Sequence, residues 1–98
     1  MAYKLEYLPS ANIDLLEAEL YLYEHSPAAA DKFIEKISEL EAPLVEHPFM
    51  YPVYQHDKRF RLMPLAYGYL CFYHIDEMSE VVTIHRVFRG MRDIPNLL

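Results

Sequence analysis

The spacing of apolar residues divides the chain into a helical first half and an extended second half. Residues 3–8 alternate between apolar and polar side chains, which predicts a short β-strand. Pro9 ends that strand, and Ser10 is expected to cap a first helix. In this helix one stripe is expected to face the core, and it consists of Ile13, Leu16, Leu20 and Tyr23. The acidic residues of the same segment are expected to face solvent, namely Asp14, Glu17, Glu19 and Glu24.

A second helix is predicted over residues 27–45, because Ser26 followed by Pro27 is a typical helix start. Pro43 lies inside this pattern, so the helix is expected either to kink there or to end a few residues early. The short connection between the two helices predicts an antiparallel hairpin. The apolar stripe of the second helix is expected to contain Phe33, Ile37, Leu40 and Leu44, widened by Ile34.

The second half of the chain predicts a sheet for the helices to cover. Residues 47–54 are expected to be an extended connection, and strands are predicted at 60–63, 67–75 and 81–88. A turn at residues 76–79 makes the last two strands a hairpin. Residues 91–98 are expected to form a short helix or a strap. The order β-α-α-β-β-β, with a three-stranded antiparallel sheet after the hairpin, predicts one α+β domain over residues 1–98.

The charge of the chain is uneven. The net charge is −6, but residues 1–48 carry −7 and residues 49–98 carry +1. A general polyanion-binding protein would be basic overall, so any positive surface here must be local. The single cysteine, Cys71, lies in an apolar run and is expected to be a buried side chain in a reducing cytoplasm. The five histidines are scattered without ligand-like spacing, so neither a metal nor a cofactor is expected.

The basic residues that exist are concentrated at the end of the last strand, where Arg86, Arg89 and Arg92 surround Gly90. Alternation along this strand places His85 and Arg86 on opposite faces, and a bulge near Phe88 would redirect the later side chains. If the three C-terminal strands are neighbours, five side chains could converge on the sheet surface away from the helices: Arg61, Tyr69, His85, Arg86 and Arg89.

Three interpretations of these residues remain open at this point. RNA cleavage without a metal needs a base, an acid and cations near one phosphate, and histidine, tyrosine and arginine can supply them. The same surface could bind an acidic protein segment without catalysis. Alternatively the arginines are structural and pair with local carboxylates such as Asp93 or Glu80. For His85 alone the structural interpretation is preferred, whereas for the arginines the functional and structural interpretations stand level.

Over essentially its whole length the chain resembles the RelE/ParE superfamily of toxins from bacterial type II toxin–antitoxin systems. The matching segments are LPSA at 8–11, SPA at 26–28, EHPFMY at 46–51, YGY at 67–69 and IHRVFRGMRD at 84–93. The resemblance implies a growth-inhibiting toxin, encoded in a plasmid-stabilisation type of system, that a cognate antitoxin holds inactive in a hetero-oligomer. It also implies an apolar groove for the antitoxin along the helical hairpin and the sheet edge. RelE-like members cleave messenger RNA on the ribosome, whereas ParE-like members poison DNA gyrase.

The closing motif of the chain is more similar to the ParE branch. RelE-like ribonucleases are strongly basic, whereas this chain is acidic. They have an arginine at the position of Tyr69. They also have an aromatic residue near the C-terminus, and this chain has none there. We therefore expect a gyrase inhibitor whose target-binding residues are Arg59, Arg61, Arg86, Arg89 and Arg92. The alternatives are a metal-independent, ribosome-dependent endoribonuclease and an inactive homologue that only binds antitoxin. For the endoribonuclease the candidate catalytic residues are His85, Arg61, Arg86, Arg89 and Tyr69.

Overall fold

The computed structural model describes residues 2–90, and these have the predicted order β-α-α-β-β-β. The elements are β1 (Lys4–Tyr7), α1 (Pro9–His25), α2 (Pro27–Glu46), β2 (Arg61–Pro64), β3 (Tyr69–Asp76) and β4 (Val81–Arg89). A 3₁₀ turn, Ala66–Gly68, precedes β3. The four strands form one sheet in the order β1-β4-β3-β2, and the helices pack on one face of it. The α+β class is confirmed, while the segment 91–98 lies outside the described residues.

The antiparallel part of the sheet is confirmed, and β1 adds a parallel edge to it. β2 pairs with β3 and β3 with β4 in antiparallel register, whereas β1 runs parallel to β4 with Lys4 opposite Val81. The β3–β4 turn closes at Asp76, whose Oδ1 accepts the N–H groups of Met78 at 3.1 Å and Ser79 at 3.2 Å. Hydrogen bonds from the Ser79 side chain, and then from the N–H groups of Ser79 and Met78, stabilise the carboxylate and lower the pKa of Asp76.

A β-bulge changes which residues of β4 face the helices. Phe72 lies opposite Arg86 but Tyr73 lies opposite Ile84, so His85 is the extra residue of β4. The bulge therefore lies at His85, three positions before Phe88, near which the sequence allows for one. Because alternation restarts after the bulge, the buried side chains of β4 are Val82, Ile84 and Val87.

Helix α1 packs on the face opposite to the predicted one. Its buried residues are Ala11, Asp14, Ala18 and Leu22. The stripe predicted to be buried is instead exposed, with relative exposures of 58% at Ile13, 55% at Leu16, 57% at Leu20 and 60% at Tyr23. The prediction is wrong because both faces of α1 carry apolar residues, and the small alanine side chains allow the closer approach to neighbouring elements.

The starts of the two helices differ. At α2 the prediction is confirmed: Ser26 is the N-cap and its Oγ accepts the N–H of Ala29 at 3.3 Å. At α1 the cap prediction is wrong, because the helix begins at Pro9 after Leu8 and has no side-chain cap. Ser10 instead donates its hydroxyl to a carbonyl of β4.

Helix α2 contributes the predicted stripe to the core and continues through Pro43 to Glu46, so it does not end early. Phe33 and Leu44 are fully buried, and Ile37 and Leu40 pack partly buried beside them. Ile34, by contrast, is 37% exposed and does not widen the buried stripe.

The sheet face away from the helices is covered by the connection between α2 and β2. Tyr54 and Phe60 of this connection pack on Phe72 of β3 and form a second, smaller apolar cluster. Tyr54 and Phe72 meet edge to face with their ring centroids 5.0 Å apart. The same connection also reaches the helix side of the sheet, where the Tyr73 hydroxyl donates to the Pro48 carbonyl at 2.6 Å. The surface on which the sequence places its candidate site is therefore partly filled by aromatic side chains.

Candidate functional site

The end of β4 lies against the start of α1, and this junction forms the first of two places where charged residues gather. β1 stops at Tyr7 opposite Ile84, and beyond that point α1 takes its place beside β4. The Leu8 N–H donates to the Ile84 carbonyl at 3.0 Å, and the Ser10 hydroxyl donates to the His85 carbonyl at 3.1 Å. The first turn of the helix thus continues the hydrogen bonding that the strand provides.

Asp14 makes the next contacts along this edge. Its Oδ2 accepts the Val87 N–H at 2.9 Å and the Arg86 Nε–H at 2.8 Å, and its Oδ1 accepts Arg86 Nη2–H at 3.1 Å. The carboxylate side chain is 8% exposed and the guanidinium side chain 26%. This two-point hydrogen bonding raises the pKa of Arg86. Arg86 also lies over the ring of Phe88, with its Cζ 4.5 Å from the ring centroid. Arg86 therefore joins β4 to α1.

Arg89 is the exposed arginine of the same edge. Its Nη1 donates to the Tyr21 hydroxyl at 2.6 Å, and its Cζ lies 4.9 Å from the centroid of that ring. Tyr69, opposite Arg89 in the register, is 7% exposed and packs on Phe33 with centroids 5.0 Å apart. Burial raises the pKa of Tyr69. A surface cavity of about 400 Å³ lies between these side chains and Glu17 of α1.

The second gathering of charge lies around the start of β2. Arg59 pairs with Asp57 through Nη2 and Oδ2 at 2.6 Å, and its side chain is 71% exposed. The Arg59 guanidinium lowers the pKa of Asp57 by donating to its carboxylate. Arg61 donates through Nη1 to the Tyr51 carbonyl at 2.6 Å. A cleft of about 180 Å³ beside these arginines is also lined by Lys58.

His85 lies near this second group, on the face away from the helices. Its ring is tilted against Phe60 with centroids 4.6 Å apart, and Arg59 Cζ lies 5.0 Å from the same Phe60 ring. Phe60 is 3% exposed and belongs to the aromatic cluster with Tyr54 and Phe72. This position favours the structural interpretation of His85, as a residue that packs on an aromatic cluster.

The candidate site residues therefore lie in separate places. Arg61 is opposite Tyr73 and Arg89 is opposite Tyr69, so roughly 13 Å of β3 separates them along the strand. Tyr69 belongs to the core on the helix side, whereas His85 faces the other way. Of the candidates within residues 2–90, one group lies beside α1 and consists of Arg86, Arg89 and Tyr69. The other group lies near β2 and consists of Arg59, Arg61 and His85. Arg92 lies outside the described residues.

Asp14 and Tyr21 also contribute to the junction of α1 with β4. The prediction that Asp14 faces solvent is wrong, because its carboxylate is buried against β4, and the sequence does not indicate Tyr21 as a site residue. A signal for Asp14 exists, because Ala11 and Ala18 stand three residues before and four after it and so share its helix face. Alanines of this spacing indicate a closely packed face, and a carboxylate on that face needs a cation. Nothing in the sequence pattern distinguishes Tyr21 from the neighbouring Tyr23.

Other chemistry finds no support within residues 2–90. No group of three histidine, cysteine, aspartate or glutamate side chains in this part of the chain could hold a metal ion. No helix there is long and apolar enough to cross a membrane. Cys71 is 2% exposed, and burial raises the pKa of its thiol to about 12, so it is unsuited to act as a nucleophile.

Solved structures of toxin–antitoxin proteins share this fold. The structure is similar to a chain of a chromosomal ParDE toxin–antitoxin system from P. aeruginosa, with 18% identity and a TM-score of 0.73. The match covers 92% of this chain and 98% of that chain. A mutant of the E. coli toxin RelE in the free state matches 99% of this chain and 93% of its own, with 17% identity and a TM-score of 0.68. The RelBE2 complex of Mycobacterium tuberculosis provides a third match, over 91% of this chain and 99% of that chain, with 19% identity and a TM-score of 0.61.

No protein of curated function matches the sequence significantly. The sequence profile of the ParE toxin of type II toxin–antitoxin systems, parDE, does match, over residues 5–94. This stretch includes every described strand and helix except the first residue of β1. The chain therefore belongs to the ParE toxin family of type II toxin–antitoxin systems.

Proposed function

We propose that this toxin is a ParE-like inhibitor of DNA gyrase that a cognate antitoxin neutralises. Its family profile and its likeness to the ParDE system of P. aeruginosa support the ParE branch and an antitoxin partner. One observation favours the gyrase inhibitor over the ribonuclease. The candidate catalytic side chains, which a ribonuclease would need around one phosphate, lie in separate places.

A metal-independent ribonuclease needs its base, its acid and its cations within hydrogen-bond reach of one phosphodiester, about 3 Å from the reacting atoms. Here Tyr69 is buried beside the helices and His85 packs on the opposite sheet face. Arg86 is held by Asp14, and Arg61 lies at a different level of the sheet. The net charge of −6 also opposes binding to a polyanion such as ribosomal RNA.

Arg89 and Arg59 are the arginines best suited to touch a protein target. Both are exposed, and each is oriented by one near neighbour, Tyr21 for Arg89 and Asp57 for Arg59. Arg61 extends the second group, although a backbone carbonyl already engages it. Arg86 acts mainly as a positioning residue, because its guanidinium ties the strand that carries Arg89 to α1. Arg92 remains a target-binding candidate on sequence grounds.

A second candidate function is ribosome-dependent cleavage of messenger RNA. The likeness in fold to the E. coli toxin RelE favours it, as does the presence of His85 beside Arg59 through their shared neighbour Phe60. A third candidate, an inactive homologue that binds only its antitoxin, predicts no effect on growth when the chain is made alone.

Expression of the chain without its antitoxin separates the three candidates. Filamentation with DNA-damage signalling is expected, because a poisoned gyrase leaves broken DNA. Rapid arrest of translation with messenger RNA cut at codons would overturn the gyrase proposal in favour of the ribonuclease. Unimpaired growth, with folded protein recovered from the cells, would instead indicate the inactive homologue.

A supercoiling assay with purified gyrase tests the proposed contact surface directly. Arg89→Ala should raise the toxin concentration needed for inhibition by about tenfold, the usual effect of removing an important interface arginine. Met78→Ala is a matched control, because Met78 is 98% exposed in the distant β3–β4 turn. Equal inhibition by the wild type and Arg89→Ala would remove Arg89 from the target-binding surface. Circular dichroism spectra establish that both variants are folded.

A further inference from the structure

The turn that leads into β3 holds a tyrosine in a backbone conformation that suits glycine. Tyr67 has φ 59° and ψ 31°, which lie in the left-handed region, and Gly68 follows it with φ 77°. Glycine adopts this region freely, whereas a bulky side chain there is strained through its Cβ. The backbone of the turn would therefore be more stable with glycine at position 67, and the tyrosine calls for an explanation.

The side chain of Tyr67 contributes little to the packing of the fold. It is 44% exposed and belongs to neither of the two apolar clusters. Within residues 2–90, its hydroxyl has no hydrogen-bond partner, and its ring has neither an aromatic nor a cation–π contact. Tyr69, two positions further on, is by contrast 7% exposed and packs on Phe33. Contacts inside the fold therefore do not offset the strain at Tyr67.

Hydrogen bonds on both sides of Tyr67 hold the turn in its strained form. The Leu65 N–H donates to the Tyr69 carbonyl at 2.8 Å, and the Gly90 N–H donates to the Gly68 carbonyl at 3.1 Å. Strained residues persist where the surrounding structure fixes them, and they are concentrated at functional sites. Because its backbone is already fixed, this segment loses little conformational entropy when a partner binds.

The turn lies beside the end of β4 that carries Arg89. Tyr67 and Arg89 each stand one residue from the hydrogen bond between Gly68 and Gly90. Arg89 contacts the hydroxyl and the ring of Tyr21, and no carboxylate within residues 2–90 forms an ion pair with it. Its charge is therefore available to an acidic group of a partner. Exposed tyrosine and arginine side chains are also the types that most often dominate protein–protein binding.

We propose that Tyr67 is a second anchor of the target-binding surface. Its ring inserts into an apolar depression of the target protein, next to a carboxylate of the target that meets Arg89. The inference rests on the proposed function, because it extends the surface that contains Arg89. A tyrosine can also stack on a nucleic-acid base, but the net charge of −6 opposes a polyanionic partner and favours a protein.

Substitution by glycine separates the backbone of position 67 from its side chain. Tyr67→Gly removes the ring but suits the left-handed backbone, so Tm should stay level or rise. The toxin concentration that half-inhibits gyrase in a supercoiling assay should nevertheless rise about tenfold. Tyr67→Phe keeps the ring and should stay within about threefold of the wild type. Met78→Ala, which truncates an exposed apolar side chain of another turn, should inhibit like the wild type.

Two results in this assay would overturn the inference while leaving the proposed function in place. One is equal inhibition of gyrase by the wild type and Tyr67→Gly. The other is a fall in Tm of more than about 5 °C in Tyr67→Gly, because it would make the tyrosine a structural residue.

Failure of the wild-type chain to inhibit gyrase would overturn the proposed function instead. Growth arrest on expression without antitoxin then provides the same comparison for whichever host protein is the target. Weaker arrest by Tyr67→Gly than by Tyr67→Phe, at equal amounts of folded protein, would support the anchor, whereas equal arrest would overturn it. Binding of the wild type to single-stranded DNA that Tyr67→Gly abolishes, measured by fluorescence anisotropy, would assign the ring to base stacking and also overturn the inference.

Discussion

Asp14→Ala should destabilise the chain by about 3 kcal/mol, although Asp14 belongs to a segment of ordinary surface carboxylates by sequence. The substitution removes three hydrogen bonds, two from Arg86 and one from the Val87 N–H. Arg86 is 26% exposed and can turn toward water, so much of its loss is recovered. The Val87 N–H stays buried without an acceptor, which costs about 1–3 kcal/mol. A total of about 3 kcal/mol is a large fraction of the 5–15 kcal/mol typical of a domain.

Related substitutions at the same ion pair refine the argument. Arg86→Ala should cost about 2–4 kcal/mol, because it leaves the buried carboxylate of Asp14 without its counter-ion. Asp14→Asn keeps an acceptor for the Val87 N–H and should therefore cost less than Asp14→Ala. The double variant should show a coupling free energy of about 1–3 kcal/mol between the two residues.

Urea unfolding followed by circular dichroism measures these free energies, with constant m values confirming a two-state comparison. In thermal unfolding, Asp14→Ala should lower Tm by more than about 10 °C, since 1 kcal/mol corresponds to about 4–8 °C in a domain of this size. Glu24→Ala is the control, an exposed carboxylate of the same helix whose loss should change stability by at most about 0.5 kcal/mol. Losses below about 1 kcal/mol in both single variants, or additive effects in the double variant, would refute the reasoning.

Two further predictions concern ionisable groups. Burial raises the pKa of Cys71 to about 12, so iodoacetamide at neutral pH should alkylate the native chain far more slowly than the chain in urea. Mass spectrometry measures both rates. Rapid stoichiometric labelling of the native protein would contradict the buried position of Cys71. The pKa of Asp76 is lower in the folded chain than its unfolded value of about 3.9, so its contribution to stability is complete above that pH and lost as pH falls through the folded pKa. Asp76→Asn should accordingly show a shallower loss of stability on acidification than the wild type, and parallel acid-unfolding profiles would contradict this.

The order of the elements could be predicted from the sequence because each one has a strong local signal. The start of α2 at Ser26 and Pro27, and the turn at Asp76, follow from side chains that act on their own backbone. The class of fold then follows from the arrangement of two helices and a C-terminal hairpin.

The orientation of α1 could not be predicted in the same way. Periodicity identifies an amphipathic helix by its large apolar residues, and here these are on the outside while Ala11 and Ala18 are inside. Small side chains face inward because α1 packs closely on the neighbouring elements, and this packing distance is a property of the tertiary structure. The burial of Asp14 could not be predicted for a related reason, because its partners Arg86 and Val87 lie more than 70 positions away in the sequence.

The candidate site failed to assemble as predicted because of one backbone irregularity and one connection. The extra residue His85 in β4 shifts the alternation, so the arginines that follow it change faces. The connection before β2 then covers the outer sheet face with Tyr54 and Phe60. Sequence periodicity reveals neither event, since bulges and the path of an irregular connection depend on contacts between distant segments.

The junction of α1 with β4 also constrains the order in which the chain folds. The Lys4 N–H reaches the Glu80 carbonyl, the Leu8 N–H reaches that of Ile84, and Asp14 reaches Val87. Every one of these links closes a loop of more than 70 residues, so β1 lacks its sheet partner, and α1 lacks its contacts with β4, until almost the whole chain has been synthesised. Contacts of such separation are costly in entropy and slow to form. A ribosome-bound fragment that ends before β4 should therefore lack the complete fold, and we expect such a fragment to have no effect on growth.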